Sequence, residues 1–82
     1  MVEIRFDKRF EQIFSKLKEP LLRSMISKQV KKIIENPAIG KPMKHDRKGT
    51  RELYVKPFRL SYLHDANEDL ILVLDLYHKK KQ

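Results

Sequence analysis

RELYVKPFRLSYLHD, residues 51–65, decides how the rest of the chain is read. Leu53, Val55, Phe58, Leu60 and Tyr62 fall on one face if the chain reverses at Lys56-Pro57, the alternation of a half-buried β-hairpin. Two registers are open. With Lys56-Pro57 as the loop, Val55 opposes Phe58; with Pro57 at the second position of a type I turn, Val55 opposes Leu60. Both keep the faces, so Glu52, Tyr54, Arg59 and Ser61 look the other way. An arginine in the middle of that outer face needs an explanation.

Downstream, residues 64–69 form a polar turn and LILVLDLY (70–77) a strand that is apolar on both sides except at Asp75. The register expected for it buries Leu70, Leu72, Leu74 and Leu76. The alternative buries Asp75, and an unpaired buried carboxylate costs on the order of several kcal/mol. Asp75 and Tyr77 then join the face of Arg59. Upstream, residues 38–50 hold both glycines and a proline without sustained periodicity and read as a loop rich in Lys and Arg.

The N-terminal half reads as one strand and two helices. Val2, Ile4 and Phe6 alternate with Glu3 and Arg5, the pattern of a short half-buried strand. Asp7 is a good N-cap for a helix over residues 8–18, with Phe10, Ile13, Phe14 and Leu17 at helical spacing. Pro20 suits the first turn of a second helix, where its missing N–H costs nothing. That helix carries Leu21, Leu22, Met25, Ile26, Gln29, Val30, Ile33 and Ile34 as its stripe, and Asn36-Pro37 stops it because the residue before proline avoids the helical region. A link this short predicts an antiparallel helical hairpin. The fold class is therefore α+β: an N-terminal strand, then an antiparallel two-helix hairpin packed on one face of a sheet completed by a three-stranded antiparallel meander, all in one domain over residues 1–82.

Composition bounds the function. An 82-residue chain supports one modest core, burying only about 60% of its unfolded surface, and leaves no room for a large interdomain cleft. The absence of cysteine excludes disulfides, thiolate zinc sites and a cysteine nucleophile. His45, His64 and His78 show no metal-ligand spacing, so no metal is expected. No apolar run approaches a bilayer span and the N-terminus lacks the hydrophobic region of a signal peptide, so a cytoplasmic protein with no membrane partner is expected. A formal net charge of +8 favours polyanions through long-range attraction and counterion release, nucleic acid first and an acidic protein second.

Much of that charge gathers near the outer face. Lys41, Lys44, Arg47, Lys48, Arg51, Lys56 and Arg59 face two acids, Asp46 and Glu52, and His78, Lys79, Lys80 and Lys81 follow the last strand. With Tyr54 exposed among them, this surface suits backbone phosphates and stacked bases. A competing reading is plain: an outward arginine on a strand commonly pairs with a neighbouring acid, here Glu52 or Asp75.

The order of elements, and above all the series REL…FRLSY…LDLYHKK, resembles the RelE/ParE superfamily of toxin–antitoxin toxins over essentially the whole chain. The resemblance implies a RelE-like fold and a metal-independent ribonuclease with no small-molecule cofactor, cutting mRNA on the ribosome by attack of a ribose 2′-OH on the adjacent phosphate. A ParE-like inhibitor of DNA gyrase, or a weakened nucleic-acid-binding relative, is the alternative. It also implies a RelB-like antitoxin as partner. Arg59 matches the central-strand arginine and is expected to stabilise the phosphorane; Lys79, with Lys80 beside it, matches a second basic position; His78 and His45 are candidates for proton transfer. Lys41, Lys44, Arg47, Lys48, Arg51, Tyr54 and Lys56 are the expected RNA contacts. Where some relatives place lysines on the preceding strand, this chain has Glu52 and Tyr54, so the base stays open among Glu52, Lys56 and Lys44. The chain ends KKKQ where active relatives commonly carry a tyrosine.

Overall fold

The structure, a computed structural model, describes residues 2–44 and 49–78. Its elements run β1 (Glu3–Phe6), α1 (Lys8–Lys16), α2 (Pro20–Glu35), β2 (Lys41–Pro42), β3 (Thr50–Val55), β4 (Phe58–Asp65) and β5 (Leu70–His78). The five strands form one mixed sheet in the order β1-β5-β4-β3-β2, with β1 parallel to β5 and the other pairs antiparallel. Two helices packed on this sheet make the expected α+β fold.

Local signals set the helices. Asp7 has extended backbone and its carboxylate accepts the Arg9 N–H at 2.8 Å, satisfying one orphan donor at the start of α1. Pro20 occupies the first turn of α2, and Asn36 ends it ahead of Pro37. Between them Arg23 turns the chain. Its guanidinium lies 4.3 Å from the Phe14 ring centroid and donates to the Phe14 and Leu17 carbonyls at 2.9 Å each, capping the end of α1 from the start of α2. The α2 stripe is narrower than its apolar residues suggest: Ile26 and Ile33 are buried, whereas Leu21, 74% exposed, and Met25 stay at the rim.

The hairpin takes the register in which Val55 opposes Phe58, so Leu53 and Leu60 pair, as do Tyr54 and Arg59. Val55, Leu60 and Tyr62 are buried in the core with Phe10, Ile26 and Ile33, while Leu53 and Phe58 pack against it. The expected faces of the hairpin are those observed.

The last strand corrects the expectation. Ser61 pairs with Asp75 but Tyr62 with Val73, so Leu74 is an extra residue, a β-bulge. Below the bulge Ile71 and Val73 are fully buried, and above it Leu76 is buried. Leu70 and Leu72, expected inside, instead pair with Asp65 and Leu63 on the outer face and are half-buried there. The bulge satisfies both demands at once, placing β-branched residues in the core while keeping Asp75 out of it. The outer face is thus polar and aromatic at one end and lined by leucines at the other. A second difference is β2: Lys41 and Pro42, expected in loop, pair with Glu52 and Arg51 as a short edge strand.

Candidate nucleic-acid interface

Cross-strand pairing builds the outer face in rows. Tyr54, Arg59 and Tyr77 form one row across β3, β4 and β5, and Lys41, Glu52, Ser61 and Asp75 form the next across β2 to β5. Arg59 is thereby flanked by two tyrosines, one of them, Tyr54, 53% exposed. A recess of about 220 Å³ opens beside it, lined by Lys41, Met43, Glu52, Leu53, Tyr54 and Arg59. Two cations and an exposed aromatic around a hollow of this size can hold a phosphate group with a base stacked alongside.

Arg59 is engaged. Its Nη1 donates to Glu52 Oε1 at 3.2 Å, and the Tyr77 hydroxyl donates to Glu52 Oε2. The side chain of Glu52 is 4% exposed and that of Arg59 31%. Arg59 Nε is buried with no hydrogen-bond partner among the described residues. Asp75 is turned to other uses: Oδ1 accepts its neighbour's Leu76 N–H at 2.8 Å and Oδ2 lies 3.8 Å from Arg9.

The loop carrying Lys41 is fixed from the other side of the sheet. The buried Tyr62 hydroxyl accepts the Gly40 N–H at 2.8 Å and donates to the Pro37 carbonyl at 2.7 Å. Arg51 donates to the Gly40 carbonyl at 2.7 Å and the Ala38 carbonyl at 3.2 Å. Glycine is required at position 40, since a Cβ there would stand 2.6 Å from the Tyr62 hydroxyl. Burial pushes the Tyr62 phenol above its ordinary range, the Gly40 hydrogen bond and Arg51 opposing it in part.

The expected contact residues therefore separate. The structure brings Arg59, Lys41 and Tyr54 together. Lys44 is exposed beyond β2. Arg51 belongs to the loop clasp on the helical side, and Lys56 lies at the hairpin tip, lining a recess with Leu17, Glu19 and Phe58. His78 pairs with Phe58, on the face opposite Arg59, its ring edge-on to the Phe58 ring at 5.7 Å. Arg47, Lys48, His45, Lys79 and Lys80 lie outside the described residues. The tie from Tyr77 to Glu52 and the part played by Met43 had no sequence signal beyond strand parity.

On the helical side a groove of about 590 Å³ runs between the helices and β1, lined by Phe6, Phe10, Phe14, Ile26 and Val30 with Arg23 and Lys31 among its polar residues. Phe6, Phe10 and Phe14 stack in succession, with centroids 5.5 and 5.6 Å apart.

Comparison with known proteins places this architecture. The family described as the ParE toxin of type II toxin–antitoxin system, parDE, matches residues 4–82. No curated protein matches the sequence. Among solved structures, the intact Escherichia coli RelBE toxin–antitoxin complex contains a chain matched at a TM-score of 0.80 and 18% identity, over 95% of this chain and 96% of that one. The RelBE2 complex of Mycobacterium tuberculosis gives 0.80 and 22% over 95% and 98%. The YoeB/ParE toxin of Agrobacterium tumefaciens gives 0.82 and 13% over 94% and 98%. These identities speak for a shared RelE-like fold; the family match covers nearly the whole sequence, and the chain belongs to the ParE toxin family of type II toxin–antitoxin systems.

Proposed function

We propose that this toxin arrests translation by gripping mRNA on the ribosome and cleaving it through attack of a ribose 2′-OH on the adjacent phosphate. The observation that carries the reading is Arg59: a partly exposed guanidinium at the centre of the outer sheet face, beside a phosphate-sized recess it shares with Lys41 and Tyr54. Cleavage builds negative charge on the phosphorane oxygens, and a fixed guanidinium stabilises it there. The 2′-OH proton must pass to a base and the leaving 5′ oxygen must receive one, giving a 2′,3′-cyclic phosphate and a 5′-OH end. Lys44, Lys79 and Lys80 are assigned to these transfers. His78 is not, because it sits against Phe58 on the far face.

The partner in this reading is an antitoxin of the RelB kind. The aromatic groove at α1 and α2 suits the apolar side of an amphipathic helix, and Arg23 and Lys31 suit acidic residues on its flank. Inhibition of DNA gyrase is the second reading, favoured by the match to the ParE family.

The test is a translation reaction with purified wild-type and Arg59→Ala protein, mapping mRNA 5′ ends. Cuts in ribosome-bound message that vanish in the variant are expected. Intact message together with blocked DNA supercoiling would transfer the assignment to gyrase.

A further inference from the structure

We propose that Glu52 is a built-in rival for the phosphate at Arg59, so that this one carboxylate sets how tightly the outer face holds RNA. The inference rests on the reading of that face as a phosphodiester site.

Glu52 sits in the middle of β3, one row away from Arg59, with its side chain almost wholly withdrawn from solvent. Both oxygens are committed, Oε1 to Arg59 Nη1 and Oε2 to the Tyr77 hydroxyl. The strand pairing Glu52 with Ser61 on one side and Lys41 on the other pins its backbone. The carboxylate therefore cannot swing away when another anion arrives. Arg59, by contrast, is the partly exposed member of the pair and lines the recess that such an anion enters.

A phosphate in the recess meets a guanidinium whose charge is already partly answered. Two anions then share one cation at a distance of about 5 Å in a region less polarisable than water, where like-charge repulsion is strong and salt screens it poorly. Binding requires Arg59 to divide its donors or to turn from Glu52 to the phosphate. Its Nε, without a hydrogen-bond partner among the described residues, supplies a donor for that turn. Glu52 thus lowers the affinity of a strongly basic protein for RNA in general, and reserves the site for a strand that other contacts hold in place.

The experiment measures the affinity of a fluorescently labelled ten-nucleotide single-stranded RNA at low salt for wild type, Glu52→Gln, Arg59→Ala and the double variant, with thermal melts of each. Glu52→Gln should bind at least about tenfold tighter, since it removes the charge and keeps the shape. The gain should vanish in the Arg59→Ala background. A Glu52→Gln protein that binds no better, or more weakly, while Arg59→Ala weakens binding overturns this inference and leaves the phosphodiester site standing. A gain that persists in full without Arg59 also overturns it, as an effect of net charge alone. If Arg59→Ala binds like wild type, the phosphodiester site itself falls and the inference with it. The wild-type protein gives a second measurement that needs no variant to fold: the Arg59 Nε–H resonance should move on saturation with the RNA, and a resonance that stays in place refutes the exchange of carboxylate for phosphate.

Discussion

Replacing Tyr62 with phenylalanine removes one oxygen atom and leaves the ring that fills the core. In the native fold that oxygen takes the Gly40 N–H at 2.8 Å and gives its proton to the Pro37 carbonyl at 2.7 Å. The Gly40 bond is buried, so its amide is stranded without a partner, which costs about 1–3 kcal/mol. The Pro37 bond is only partly buried, and water can replace much of it. The expected destabilisation is about 2 kcal/mol. At about 4–8 °C per kcal/mol for a domain of this size, the melting midpoint falls by about 8–16 °C. In urea, with a slope of about 1 kcal/mol per molar, the midpoint falls by about 2 M. Hydrogen exchange places the effect: the Gly40 amide should lose protection beyond what the global loss explains. Gly40→Ala drives a methyl into the same hydroxyl, so the double variant should cost less than the sum of the two. A Tyr62→Phe unfolding free energy within about 0.3 kcal/mol of wild type, against that expected loss, would refute the clasp as the element that holds the Lys41 loop.

The same phenol gives a pH dependence. Its pKa is raised in the fold, so the folded state keeps the proton while the unfolded chain loses it. Stability is whole below about pH 10 and falls as pH climbs beyond that value toward the folded one. Urea titrations at stepped alkaline pH should show this fall in wild type and a shallower one in Tyr62→Phe. Arg23→Met loses the guanidinium over Phe14 and both carbonyl hydrogen bonds, and a melt should register a loss of about 2 kcal/mol, the charged donor counting for more than a neutral one. Deleting Leu74 removes the bulge but leaves Val73, Asp75 and Leu76 consecutive opposite Tyr62, Ser61 and Leu60, so every side chain keeps its face; circular dichroism should still show a cooperative melt, and its loss would refute Leu74 as the extra residue.

The parts of the fold legible in the sequence are those set by neighbours along the chain. Period-two alternation gave the hairpin its faces, and Asp7, Pro20 and Asn36-Pro37 marked helix ends by backbone chemistry alone. Arg59 was found the same way, by parity. So was the side of Arg51, which shares the parity of Leu53 and Val55; counting it with the basic surface followed its charge and not its register. The last strand was different. LILVLDLY is apolar in either phase, so the pattern offered no preference except the avoidance of a buried Asp75, and an inserted residue answered that demand by another route.

The sequence by itself determined an α+β chain with two helices, a β-hairpin and an arginine turned away from the core, because each of these follows from the spacing of apolar residues and from residues that start or stop an element. Tertiary structure alone decided the partners: that β5 changes face at Leu74, that Tyr62 and Arg51 clasp the loop before β2, and that Glu52 answers Arg59 and Tyr77 together. Such contacts join residues far apart in the chain, and what selects them is the shared need of buried polar groups for partners, which exists only once the sheet and helices have closed around them.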